Sequence, residues 1–271
     1  MTHPLTTKCP FCGRTLLTFS GLLVSLDSED ARCDSLRGLE QLCECDTAKR
    51  TAEEEKLAQD TLRRSRDEKQ KNEALNARFK NAGFPDAWKD RALSCWNTDT
   101  LPRQQAREAV SAFGAEVMRS GRPTSSLFIA GDIGTGKTYL ASCLAADLIR
   151  RKVQVRWCNV GDVLRAIRSS FDQKNVTEED VIRRFTDPQV LVLDDLGKER
   201  PTEWATEQLF SIINTRYDAQ KPVIVTTNYG GADLVKRLTA RGDSDDTTPR
   251  AIVDRLRAMS KVIKLEGESW R

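Results

Sequence analysis

No apolar run in the 271-residue sequence reaches the roughly 18 residues that a membrane-crossing helix needs, so no bilayer-spanning segment is expected. Net charge is nearly absent: 43 Lys and Arg stand against 40 Asp and Glu, leaving +3. That balance excludes a chain-wide attraction to nucleic acid, and any DNA contact has to come from local patches. There is one histidine, His3, read as a free N-terminal side chain. Internal repeats are missing. The chain opens on polar residues and a cysteine pair, so a secretory signal peptide is not expected. With 39% hydrophobic and 31% charged residues, the simplest reading is a cytoplasmic protein without membrane partners. Its length suits one good-sized core plus a small accessory module.

What is present falls into three segments. Five of the eight cysteines lie in the first 45 residues: Cys9, Cys12, Cys33, Cys43 and Cys45. Residues 1–46 are too short for a self-sufficient apolar core, and in a reducing compartment such clustering points to a metal rather than to disulfides. Cys9-Pro-Phe-Cys12 supplies one thiolate pair and Cys43-Glu-Cys45 a second, enough for a closed, structural tetrahedral Zn2+ site. Cys33 is an alternative ligand for the second pair. Residues 47–80 lack Gly and Pro. They are rich in helix formers, and their apolar residues, Leu57, Leu62, Leu75 and Phe79, keep no steady heptad. The spacing predicts a solvated helical connector, ended by Gly83 and Pro85.

Residues 81–271 alternate strand and helix patterns. Strand candidates are 126–130, 153–158, 190–193, 223–227 and 262–265; helical patterns lie at about 137–151, 160–171, 178–186, 203–219, 231–240 and 250–259. The continuously apolar or β-branched runs Val190-Leu-Val-Leu193 and Val223-Ile-Val-Thr-Thr227 suit strands covered on both faces of a parallel sheet. The expected class is α/β with helices flanking that sheet.

Residues 131–138 read Gly131-Asp132-Ile133-Gly134-Thr135-Gly136-Lys137-Thr138, the full phosphate-binding loop pattern, with a strand before it and a helix after. Glycines let the backbone wrap a phosphate closely, and the helix adds its positive end. Lys137 is expected to reach the β- and γ-phosphates of ATP, Thr138 to offer its hydroxyl to Mg2+, and Tyr139 to border the nucleotide. The strand 190–193 delivers Asp194 and Asp195 at its C-terminal end. Asp194 is the expected Mg2+ carboxylate. Asp195 stands where many related ATPases use Glu to polarise the attacking water. Asn228, at the tip of the next buried strand, is a candidate to orient that water; its competing role is a turn former before Tyr229-Gly230-Gly231.

Taken with the C-terminus, these motifs resemble a known family. Asp254-Arg255-Leu256 and the ending Gly267-Glu-Ser-Trp-Arg271 are similar to the DnaC/DnaI-type helicase loaders and the IstB-type transposition ATPases. So are Ala82-Gly83-Phe84-Pro85 and Asn214-Thr-Arg216-Tyr217, and the resemblance covers residues 81–271. It implies an AAA+ fold that self-associates through its ATPase domain on DNA. Arg255 would match the arginine finger that reaches a neighbour's γ-phosphate, and Arg271 the sensor-2 arginine within its own subunit. The competing readings are a solvated helix arginine and a frayed terminal residue.

Arg165 and Arg168 share a helix face with no acidic partner expected inside the helix, and in the resembling loaders this region contacts single-stranded DNA. A solvated face is the alternative. DnaI-type loaders also carry an N-terminal zinc module that grips the replicative helicase. The leading expectation is an ATP-dependent loader of a replicative hexameric DNA helicase onto single-stranded DNA. The alternatives are an IstB-type ATPase that helps a transposase select target DNA, and a nucleotide-gated adaptor that hardly hydrolyses ATP.

Overall fold

In the computed structural model the chain divides into two units, Met1–Asn72 and Glu73–Arg271. The structure describes residues 5–8, 13, 15–19, 39–40, 46–121, 123, 125–170, 177–198, 202–240 and 245–266. His3 and the five N-terminal cysteines lie outside the described residues.

The first unit holds three strands that the sequence pattern does not announce: β1 (Leu5–Lys8), β2 (Thr15–Phe19) and β3 (Leu39–Glu40). They form an antiparallel sheet in the order β1-β2-β3, with Leu5 opposite Thr18 and Lys8 opposite Thr15. Helix α1 (Asp46–Asn81) follows the composition of its stretch. Leu57 and Leu62 stay exposed, as isolated apolar residues on a charged helix do. The division between the units falls within this helix, and beyond it Phe79 is buried in the second unit's core beside Phe84, their ring centroids 5.5 Å apart. Gly83 stops the helix at φ +68, and its N–H caps the carbonyl of Lys80 at 3.0 Å.

The second unit is built on five parallel strands in the order β5-β6-β7-β4-β8. These are β4 (Ser126–Gly131), β5 (Val155–Asn159), β6 (Val190–Leu196), β7 (Val223–Thr227) and β8 (Ser260–Leu265). Parallel strands need crossovers, and helices supply them on both faces. One apolar cluster packs α2 (Leu101–Ser120) and α3 (Lys137–Arg150) on one face. The other packs α4 (Val160–Ser170), α5 (Glu178–Thr186), α6 (Glu203–Asp218), α7 (Gly231–Leu238) and α8 (Thr247–Met259). Val190, Leu191, Val192 and Leu193 are 0% exposed because helices cover both sides of β6. Truncating one such Leu to Ala would cost about 2–5 kcal/mol.

Helix α2 is absent from the sequence expectation. Its stop signal is there, Gly121 at φ +68, and Pro102 sits in its first turn. Its buried stripe, however, is made of small residues, Ala106, Ala109 and Gly114, around Val110, Phe113 and Val117. A Cβ at Gly114 would come within 3.2 Å of Leu144 Cδ1, so the small residues mark a close helix–helix approach rather than a broad apolar face.

Arg216, one of the residues behind the family resemblance, is fully buried and serves the fold. It donates to the carbonyls of Phe185 (3.0 Å), Pro188 (3.0 Å), Gln189 (3.2 Å) and Pro222 (2.8 Å), tying the α5–β6 turn to the start of β7. Burial lowers its pKa to about 10. No helix among the described residues is long and apolar enough to cross a membrane.

Candidate nucleotide site

The loop between β4 and α3 is shaped by contacts that only glycine permits. Gly131 has φ +158, and a Cβ there would collide with the carbonyl oxygen of Leu265 on β8. Gly136 sits at φ +93 with its α-carbon against Trp96, where a Cβ would lie 3.0 Å from Cζ3. Gly136 is also the N-cap of α3, with no side chain capping the helix. The first N–H groups of α3 are therefore left to an anionic ligand. Thr135 closes the loop by donating to the Asp132 carbonyl at 2.9 Å. Ile133, at the loop tip, is 72% exposed.

Lys137 folds back over its own loop. Its Nζ donates to the carbonyls of Gly131 (2.9 Å) and Asp132 (2.6 Å). Desolvation lowers its pKa, and the carboxylates of Asp195, Asp132 and Asp194 partly offset the shift. An ammonium resting on carbonyls beside free helix amides is poised to exchange those carbonyls for phosphate oxygens.

Thr138 faces across the sheet edge. Its hydroxyl donates to Asp194 Oδ1 at 2.9 Å, and Thr226 Oγ1 donates to the same oxygen at 2.6 Å. Asp194 is 9% exposed; burial raises its pKa, and the two hydroxyls pull it down. These are hard oxygen donors, a hydroxyl and a carboxylate, of the kind Mg2+ takes with phosphate, so the residues present fit that ion.

Asp195 sits on a β-bulge. Leu193 pairs with Val225 and Leu196 with Thr227, leaving Asp194 and Asp195 together opposite Thr226. Asp195 adopts φ +56, and Lys198 pairs with its carboxylate at 3.5 Å. A cleft of about 230 Å3 opens beside it, lined by Asn159, Gly161, Asp194, Asp195 and Lys198. Asn228 follows β7 directly and is half-buried; the next residue's N–H, that of Tyr229, binds Thr227 Oγ1 at 3.2 Å.

Sequence reasoning missed three contributors. Trp96 stacks on Tyr139 with centroids 6.2 Å apart. Arg91 lies over Trp88 (4.2 Å) and Tyr139 (4.9 Å) and donates to Ser142 Oγ at 2.8 Å. Both arise from segments with no periodic signal. The third, Thr226, was visible as a hydroxyl at the end of a buried strand.

Arg255 stands apart from these groups. Its Nε donates to Asn214 Oδ1 at 2.7 Å, and its guanidinium carbon lies 4.8 Å from the Phe210 ring. Its partners among the described residues are all on α6 and α8. Arg271 lies outside the described residues. The expectation of unpartnered arginines on α4 is corrected: Arg165 pairs with Asp162 three residues earlier in the same helix, and Arg168 lies over Trp204 at 5.3 Å. The i, i+3 spacing of an acid and an arginine forms that pair. Among the described residues no group of three or more His, Cys, Asp or Glu is placed to hold a metal ion.

Comparison with known proteins gives a consistent picture. Residues 121–271 match the IstB-like ATP binding protein family. The replicative helicase loader DnaI of Bacillus subtilis is 24% identical over 148 residues, 54% of this chain and 47% of its own. An ATP-binding protein of insertion sequence IS5376 from Geobacillus stearothermophilus is 31% identical over 150 residues, 55% of this chain and 56% of its own. The chain thus spans about half the length of these relatives. A crystal structure of DnaI superposes with a TM-score of 0.58 at 24% identity, covering 69% of this chain and 94% of that one. The fold is the expected α/β class, a parallel five-stranded sheet flanked by helices, and it is shared with the DnaI structure.

Proposed function

The chain belongs to the family of IstB-like ATP binding proteins, and from that premise we propose that it is an ATPase that loads a replicative hexameric DNA helicase onto single-stranded DNA. The observation that carries the ATPase reading is the link from loop to sheet: Thr138 on the phosphate loop and Asp194 on β6 share a 2.9 Å hydrogen bond beside Lys137. That contact supports reading the two as the phosphate-binding and metal-binding halves of one site. In the proposed reaction Lys137 leaves the Gly131 and Asp132 carbonyls for the β- and γ-phosphates, and the α3 amides hold the anion. Thr138 and Asp194 would hold Mg2+, which supplies charge neutralisation at the transferring phosphoryl group. Asp195 accepts a hydrogen bond from the attacking water, and Asn228 fixes that water's direction. Arg255 serves the neighbouring subunit's nucleotide and Arg271 its own.

The remaining assignments belong to the same proposal. Residues 1–46 form a zinc module on Cys9, Cys12, Cys43 and Cys45, residues 47–80 a connector, and residues 81–271 the ATPase domain. The module grips the helicase, the ATPase domains associate side by side along DNA, and the protein works in the cytoplasm. The clustered cysteines and the 36-residue α1 favour the loader. The second reading, assistance to a transposase, draws on the 31% identity to the insertion-sequence protein. The deciding experiment is a pull-down with the full chain, in ATP and Mg2+, against the replicative helicase and against a transposase from the same genome. Retention of the helicase supports the loader; retention of the transposase alone replaces it with the second reading.

A further inference from the structure

The bulge on β6 creates a problem that the neighbouring strand solves with one side chain. A bulged residue is left out of the ladder, and the Asp195 N–H finds its acceptor in Thr226 Oγ1 at 2.8 Å. The proton of that hydroxyl goes to Asp194 Oδ1 at 2.6 Å. Thr226 is 0% exposed, in a strand whose preceding residues, Val223, Ile224 and Val225, are apolar and equally buried. A hydroxyl there has a desolvation cost to meet, and both its donor and its acceptor capacity are spent on consecutive carboxylate residues. Thr227 braces the far side of the bulge, donating to the Leu196 carbonyl at 2.7 Å.

We infer that Thr226 is a positioning residue of the nucleotide site: its hydroxyl orients the Asp194 carboxylate and holds the Asp195 backbone in the left-handed conformation that aims its side chain. This rests on the ATPase reading above. Asp194 Oδ1 accepts two hydrogen bonds, one from Thr138 on the phosphate loop and one from Thr226 on the sheet. Only the second is independent of what the phosphate loop does. With Oδ1 held from the sheet, the orientation of Oδ2 is set as well. At φ +56 Asp195 occupies a region that a non-glycine residue visits only when its surroundings hold it there. The Thr226 hydroxyl accepting its N–H is one of those restraints.

The test uses the full chain and two substitutions at one position. Thr226→Val keeps the β-branched shape and removes the hydroxyl; Thr226→Ser keeps the hydroxyl and removes the methyl. Outer-shell partners of metal ligands are worth about 10–100-fold in affinity or activity, so Thr226→Val should lose that much kcat with KM for ATP unchanged. Mn2+ affinity in the complex with a non-hydrolysable ATP analogue, read by electron paramagnetic resonance, should weaken by about tenfold. Thr226→Ser should come back to within about threefold of the parent in both, since it retains the positioning hydrogen bonds. Thr206→Val is the control: Thr206 is also buried, and its hydroxyl donates to the Leu238 carbonyl at 3.0 Å, away from the carboxylates. It should lose thermal stability like Thr226→Val but keep kcat and Mn2+ affinity. A Thr226→Val protein with the parent's Mn2+ affinity and kcat overturns the inference, and so does a Thr226→Ser protein as impaired as Thr226→Val. Failure of the ATPase reading shows elsewhere, as Lys137→Ala protein that retains turnover, and the Mn2+ measurement decides the role of Thr226 in that case too.

Discussion

Arg165 on α4 and Arg255 on α8 both belong to the second unit, and they are held by different chemistry. On α4 the guanidinium of Arg165 is paired with the Asp162 carboxylate, and Arg168 rests over an indole. On α8 Arg255 is held by neutral groups only, a carbonyl oxygen of Asn214 and the ring of Phe210. A carboxylate cancels the charge it orients. An amide and a ring orient a guanidinium and leave its charge available to a ligand. Arg255 therefore keeps its charge available, as the proposed finger requires, whereas the charge of Arg165 is already offset by a carboxylate of its own helix.

The sharpest way to break this contrast is to remove Arg255. If Arg255 is the proposed finger, it is worth roughly 10³–10⁵ in rate, and Arg255→Ala should bind ATP normally and lose on the order of a thousandfold in kcat. Mixed with Lys137→Ala protein, it should regain part of its activity, because one partner brings an intact nucleotide site and the other an intact finger. Turnover proportional to protein concentration down to high dilution, or mixtures without rescue, would make Arg255 an ordinary surface residue.

A smaller effect tests how Arg255 is held. Asn214→Ala removes the acceptor of its Nε–H; a hydrogen bond to a charged group is worth about 1.5–3 kcal/mol, and losing part of it should lower kcat by about tenfold. Asn214→Asp restores an acceptor but adds a cancelling charge. If charge availability matters, it should rescue poorly; full rescue would mean that orientation alone counts.

What the sequence disclosed follows the same division between pattern and partner. The phosphate loop, both aspartates and the two buried strands were legible, because each is a contiguous string whose chemistry is local. So was the helical stretch that became α1. The pairing of Arg165 with Asp162 was three letters away and still missed, because the arginine face was read without its own first turn. Trp96, Arg91 and Thr226 enter the site from residues far apart in the chain, and only the folded sheet brings them together. Helix α2 was legible and missed: Ala106, Ala109, Val110, Phe113 and Val117 keep helical spacing, but with small residues among them the apolar face is weak. Arg216 was noticed as part of a resemblance, but its burial among carbonyls depends on a turn 27 to 31 residues away in sequence.

On α4 the effects should be modest. Replacing both Arg165 and Arg168 with Ala should weaken single-stranded DNA binding by several-fold, with a salt slope reduced by less than the roughly 1.4 expected for two phosphate contacts on a single strand, since Arg165 starts out paired. Fluorescence anisotropy at several salt concentrations would measure this. An unchanged affinity would make the face purely solvated.

The smallest expected effect reverses the sign. Asp162 lies in the first turn of α4, accepts from the Asn159 N–H at 3.5 Å, and pairs with Arg165. Asp162→Asn keeps an oxygen acceptor in place and removes the charge. Stability should fall slightly, because an exposed i, i+3 pair contributes about 0.2–0.5 kcal/mol and a carboxylate in a helix's first turn about 0.3–1 kcal/mol. DNA affinity should rise. If Arg165 contacts a phosphate, freeing it from competition worth about 0.4 kcal/mol strengthens binding by about twofold at low salt. The gain should fade as ionic strength shortens the range of the interaction. A general increase in positive charge would also raise affinity, so a second substitution separates the two causes. Asp233→Asn on α7 removes a more exposed carboxylate, 70% against 47% for Asp162, that pairs with Lys236 at 3.8 Å. If both substitutions raise affinity equally, the protein's overall charge governs binding and α4 has no special place. If Asp162→Asn alone does so, Arg165 is a DNA contact held in check by its own helix.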